Sequence, residues 1–109
     1  MDDFFFQLVY ALKHALLKEK EAVQVLLQME DIKKWAWQDF WFSYLFADIY
    51  ALSDLNTEAM EWLNQSVNRG HINYPFMAEL DPALEELRKE EPFQALMKEV
   101  KLKWEQFVV

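Results

Sequence analysis

The chain has no cysteine, one glycine (Gly70), three prolines (Pro75, Pro82 and Pro92) and two histidines. Each shortage removes a class of chemistry. Without cysteine there is neither a disulfide framework nor a thiolate nucleophile, which suits a reducing compartment. One glycine cannot build a phosphate-cradling loop. His14 and His71 stand far apart, with no cysteine or spaced carboxylate to complete a metal set. Positive charge is also scarce: 11 basic residues face 19 acidic ones, for a formal net charge of −8. That balance repels nucleic-acid phosphates and anionic membrane surfaces, both of which are bound through basic residues. The N-terminus carries Asp2 and Asp3 where a signal peptide carries positive charge, so a cytoplasmic location is expected.

What the chain has is apolar and helix-forming. Hydrophobic residues make up 53% of its 109 positions and aromatics 17%, enough apolar surface to offset the entropy of ordering one domain. Alanine, leucine, glutamate, lysine, glutamine and methionine are frequent and β-branched residues sparse, so the expected fold class is all-α. The pattern divides into about six helices. A first runs from Asp3 to Leu17 and is interrupted by the charged run Lys18, Glu19, Lys20, Glu21. A second reaches Asp31, and a third spans residues 35 to 52. A fourth opens at Thr57 and stops at Asn68-Arg69-Gly70, a basic last turn followed by a residue free to take positive φ. His71 to Leu80 reads as a loop, with His71 expected to be exposed or locally hydrogen-bonded. Asp81-Pro82 pairs a capping residue with proline at the first helical position. Glu91-Pro92 repeats that signal for a last helix.

Residues 35 to 46, WAWQDFWFSYLF, hold three tryptophans, three phenylalanines and a tyrosine. A membrane span needs about 20 mainly apolar residues, and Gln38, Asp39, Ser43 and Asp48 interrupt this one. A base-stacking surface needs adjacent cations, and Lys33 and Lys34 are opposed by Asp39 and Asp48. On a helix the apolar residues point almost all the way round, which marks an element buried by neighbours on several sides. The run Phe4, Phe5, Phe6 cannot face one core, because consecutive helical residues lie about 100° apart. It implies further chain upstream or a homodimer formed through these three rings, with ordinary partial burial as the alternative.

An internal period is present. Pairing Ala22 with Ala59 aligns KEKEAVQVLLQ with LNTEAMEWLNQ at a spacing of 37 residues, near the roughly 34 of a tetratricopeptide repeat. Phe46, Ala47, Tyr50, Ala59 and Leu63 stand where that repeat wants a large apolar residue, a small one, an aromatic, a small one and a large apolar one. Ser66 takes the place of the usual second-helix alanine. The first unit matches more loosely, with Tyr10 at a small-residue position and Lys13 at the aromatic one. The tail NYPFMAELDPALEELRKEEPFQALMKEVKLKW is similar to the segment closing many bacterial tetratricopeptide arrays. The chain therefore resembles the C-terminal end of such an array. The resemblance implies antiparallel helix pairs stacked as a short solenoid, with units at about 3–32 and 36–70, a loop at 71–80 and C-terminal helices at 81–109.

It also implies a protein-binding scaffold, or a structural cap, within a larger protein, with no catalysis, cofactor or metal. The lysine, asparagine and arginine residues with which the family grips a terminal carboxylate are replaced here by Phe4, Gln7, Ala11, Trp41, Tyr44 and Asp48. Gln7, Trp41, Tyr44 and Asp48 are the expected contacts on a concave face, which is aromatic and acidic and so suits an apolar or basic partner segment. A nucleophile would need Ser43, Ser53 or Ser66 beside a histidine, and no motif places one there.

Overall fold

Asp39 divides the aromatic stretch. Its backbone is extended (φ −127°, ψ 129°), and its carboxylate accepts the N–H groups of Trp41 at 2.8 Å and Phe42 at 3.0 Å. An aspartate that caps the following turn competes with continuation of the helix through it. The single helix expected over residues 35 to 52 is therefore two: α3 (Glu30–Trp37) and α4 (Phe40–Leu52). The freed carbonyls of α3 are taken up by side chains. Ser43 Oγ donates to Ala36 O at 2.5 Å, and Gln65 Nε2 to Trp37 O at 2.7 Å. Helix ends need such partners. Trp37 is seated edge-to-face on Trp62, with ring centroids 5.0 Å apart.

The computed structural model describes residues 2–107, with side chains described at residues 6–29 and 32–107. The fold is all-helical, with no strand among the described residues. Helix α1 (Asp2–Leu16) turns into α2 (Lys20–Leu27), and α4 turns into α5 (Asn56–Asn68). A long last helix, α6 (Glu91–Phe107), closes the described chain. Helix α4 is the centre: α1, α2, α3, α5 and the turn at Pro82–Leu84 all pack against it. Tyr44, Phe46, Ala47, Ile49, Tyr50 and Ala51 are buried on it, so the apolar pattern marks an inner helix from residue 43 on, whereas Trp35, Trp37, Phe40 and Trp41 in the first half of the stretch are exposed. Burying a side chain such as Phe46 or Leu63 contributes about 1.5–3 kcal/mol.

The two helix pairs turn in the same way. Leu17, Lys18 and Glu19 donate their N–H groups to the carbonyls of Lys13, Ala15 and His14. Ser53, Asp54 and Leu55 donate to Ile49, Ala51 and Tyr50, the same three bonds displaced by 36 residues. Lys18 and Asp54 are both left-handed, each with φ 60°. The turns also touch: Lys18 Nζ donates to Leu52 O at 2.6 Å and lies 3.6 Å from Asp54. The geometric period is thus 36, one residue less than the 37 expected from aligning Ala22 with Ala59. The correction improves the first unit at one position, although Tyr50 now pairs with His14 and Ala59 with Val23. Ala11, not Tyr10, is the counterpart of Ala47, and Leu27 that of Leu63, all four essentially without exposure. The equivalence ends after Leu27, where α2 stops and α3 intervenes, so the expected units 3–32 and 36–70 shrink to the pairs 2–27 and 40–68.

The C-terminal third also departs from expectation. The loop assigned to residues 71–80 contains a π-helical turn at Phe76–Leu80. Asp81 does cap, its Oδ1 accepting the Ala83 N–H at 3.0 Å. The capped segment, however, is a pair of 3-10 turns, Pro82–Leu84 and Leu87–Lys89, rather than an α-helix. Leu84 and Leu87 are three residues apart and both fully buried. A three-residue period stacks side chains at i and i+3 on one side, and that is where the core lies.

Candidate functional site

Of the four expected contact residues, three lie on α4 and turn in different directions. Trp41 is 50% exposed, whereas Tyr44, one turn on, is 1% exposed. Tyr44 is thus not an open-face contact; its hydroxyl donates inward to Asp81 Oδ2 at 2.5 Å. Asp48, a further turn along, also points inward and hydrogen-bonds the Asp81 carboxyl, and its own Oδ1 is buried with no partner. Gln7 sits apart from these, on α1. It borders a groove of about 400 Å³ formed with Phe6, Tyr10, Leu26 and Met29, and its Oε1 is buried and unpartnered. The rings of Phe4 and Phe5 fall outside the described side chains, while Phe6 is exposed.

The helix register explains the inner cluster. Residues 40, 44 and 48 form one i, i+4 row on α4, and the segment from His71 to Arg88 folds back over that row. His71 is buried, with 9% exposure, so of the two positions expected for it, exposed or locally hydrogen-bonded, the exposed one does not hold. Its ring lies 4.6 Å from that of Tyr44 and stacks on Phe40 at 5.6 Å. Burial lowers its pKa below the usual imidazole value, and its Nε2 has no partner. Phe76 closes on Tyr44 at 6.1 Å, and Trp41 stacks on Tyr44 at 6.5 Å. The result is a two-tier cluster. Tyr44 and His71 form the buried tier. Phe40, Trp41 and Phe76, with 43%, 50% and 37% exposure, form the outer one.

Beneath the rings lies a carboxyl pair. Burial first, then the hydrogen bond and charge of Asp81, push the Asp48 carboxyl up to about 9, against the opposing pull of Arg88. Asp48 is therefore protonated at neutral pH and donates to Asp81. Asp81 accepts from three groups: Asp48, the Tyr44 hydroxyl and the Ala83 N–H. Arg88 does not chelate the pair. Its Nε and Nη2 donate to Met77 O, both at 3.2 Å, and Nη2 to Asp81 O at 2.7 Å. The arrangement binds α4 to the C-terminal segment and offers solvent no free base. Burial raises the Tyr44 phenol far above its ordinary value, so it stays a donor.

The three serines and His14 are also occupied by structure. Ser43, Ser53 and Ser66 donate to the carbonyls of Ala36, Ile49 and Phe40. His14 pairs with Glu19 at 3.0 Å on the surface. Among the described residues no group of three histidine or acidic side chains is arranged to hold a metal ion, and no helix is long and apolar enough to cross a membrane. The burial of His71 and the bonds of Asp81 to Tyr44 and Asp48 were not legible in the sequence, although the cap at Asp81 was. One signal was available, since Tyr44 and Asp48 share a helix face and an inward aspartate there demands a polar partner.

Comparison with known proteins yields no relative: no family model, no curated protein and no solved structure matches the chain.

Proposed function

We propose that the chain is a tetratricopeptide-like protein-interaction module without catalytic chemistry, seating a partner protein, or another domain of a longer parent, on the aromatic cluster of Phe40, Trp41 and Phe76. The observation that carries this reading is the two-tier cluster itself. Three large rings stay open to solvent while ring contacts fix them to a buried base of Tyr44 and His71. Rigid exposed aromatics anchor interfaces at low entropic cost. The 36-residue repetition of the helix turns supports the repeat-type scaffold. The net charge of −8 favours a segment flanked by basic residues. Tyr44 contributes by holding the outer rings, not by touching the partner.

The test is a fluorescence-anisotropy titration with a labelled amphipathic peptide rich in leucine and lysine, alongside its glutamate counterpart. Trp41→Ala is expected to weaken the lysine peptide by about tenfold with the fold intact. Equal affinity of wild type and Trp41→Ala would show that the face is misplaced.

A second reading, self-association, is favoured by one observation. Along α1, Phe6, Val9, Tyr10, Leu12 and Leu16 are all exposed. Sedimentation velocity on the chain and on Phe6→Ser with Tyr10→Ser decides it: a monomer at high concentration removes this reading.

A further inference from the structure

We infer that a cleft between α6 and the segment after α5 is a binding site for a small amphipathic carboxylate, an alkyl or aryl group carrying one acid. The site is separate from the aromatic cluster and opposite in charge. Its volume is about 310 Å³, at the small end of the range for small-molecule sites. Its floor is apolar, built from Phe93 and Met97, one turn apart on α6 and both buried. Tyr74 and Ala78 form the facing wall.

The charge of the rim is what selects the ligand. Lys101 continues the Phe93–Met97 row of α6 and Lys98 stands on the adjoining row with Gln94; both line the cleft, and no acidic residue is among its described lining. In a chain where acids outnumber bases 19 to 11, that is a local reversal of sign. Among the described residues Lys98 has no ion-pair partner, and Lys101 has only Glu105, at 4.0 Å. Arg88 closes the inner end, but its guanidinium is tied to the carbonyls of Met77 and Asp81 and faces the Asp48–Asp81 pair. The positive charge free to act is therefore that of the two lysines. An apolar floor edged by two under-used ammonium groups complements a ligand with an apolar body and a single anionic head. A volume of about 310 Å³ is of small-molecule size.

The experiment is an amide-resolved NMR titration of the whole chain with octanoate, octan-1-ol and an acidic, phenylalanine-containing hexapeptide. Octanoate is expected to shift the amides of Gln94, Met97, Lys98 and Lys101 saturably in the millimolar range, as suits about ten heavy atoms at modest efficiency. Octanol should bind there at least about fivefold more weakly. Lys98→Glu with Lys101→Glu should loosen octanoate by about tenfold. Lys103→Glu, which makes the same change of charge per substitution outside the cleft, should not. Lys98→Gln alone should give a smaller loosening and guards against misfolding of the double variant. The proposal is overturned if octanoate leaves these amides unmoved, if octanol binds equally well, or if Lys103→Glu weakens binding as much as the double variant. Tighter binding of the hexapeptide than of octanoate would replace the small ligand with a peptide.

Discussion

The Tyr44 hydroxyl reaches Asp81, 37 residues along the chain, in a 2.5 Å hydrogen bond that is wholly buried. This contact fastens the central helix to the segment leading into α6. The two partners are not equivalent. Tyr44 gives up one bond, whereas Asp81 collects three and caps a turn. Tyr44→Phe keeps the ring and is expected to cost about 1–3 kcal/mol in urea denaturation. Asp81→Ala strands both the phenol and Asp48 and removes the cap, so its cost should exceed that of Tyr44→Phe. Equal costs would show that the Tyr44 bond accounts for all of Asp81's contribution.

Asp48 sets a pH dependence of definite sign. Its carboxyl titrates near 3.8 when unperturbed and at about 9 in the folded chain. Between those values the native state holds the extra proton, so stability from this group is full at acid pH and falls as pH rises towards 9. Asp48→Asn keeps a donor towards Asp81 and cannot ionise. It should raise stability at pH 8 by about 2 kcal/mol and flatten the alkaline side of the Tm-against-pH curve. An unchanged slope would place the titration elsewhere.

His71 acts in the opposite direction. Burial lowers its pKa, so below the unfolded value near 6.5 the unfolded chain binds the proton more readily, and stability falls as pH drops. His71→Phe should remove that acid-side loss while leaving the alkaline slope of Asp48 in place. Thermal melts from pH 5 to 8 on both variants separate the two contributions.

The left-handed turn residues offer a stability test of the repeat. Asp54→Gly relieves the positive φ and loses only an exposed ion pair with Lys18, so a gain of about 0.5–1 kcal/mol is expected. Lys18→Gly relieves the same strain but forfeits the 2.6 Å bond to Leu52 O and should gain less. Matched gains in urea denaturation would mean that the Lys18 ammonium contributes nothing at this junction.

Composition and periodicity were enough to read the all-α class, the α4–α5 pair and the inner position of the second half of the helix expected over residues 35 to 52, though not the exposure of Trp35, Trp37 and Phe40 in its first half. These depend on local helix formers and on an apolar pattern that no other element could bury. Three things were hidden, each for a physical reason. The break at Asp39 depends on a carboxylate choosing two N–H groups over continued helix, a local competition between states of similar energy. The period of 36 rather than 37 was masked because Glu21-Ala22 matches Glu58-Ala59 in letters, while the three turn bonds match one residue earlier. The inward turn of Tyr44 and Asp48 depends on Asp81, whose approach is a tertiary event with no local trace. Trp41 alone of the expected contacts on α4 is open to solvent.

The seating of Trp37 on Trp62 gives the molecule an optical gauge. Two indoles with centroids 5.0 Å apart and planes at 83° couple their excited states. One belongs to α3 and the other to α5, so the circular-dichroism couplet exists only while the short helix is docked. Any partner or solvent that lifts α3 away would extinguish it without unfolding the remainder, making displacement of one two-turn helix readable without a label.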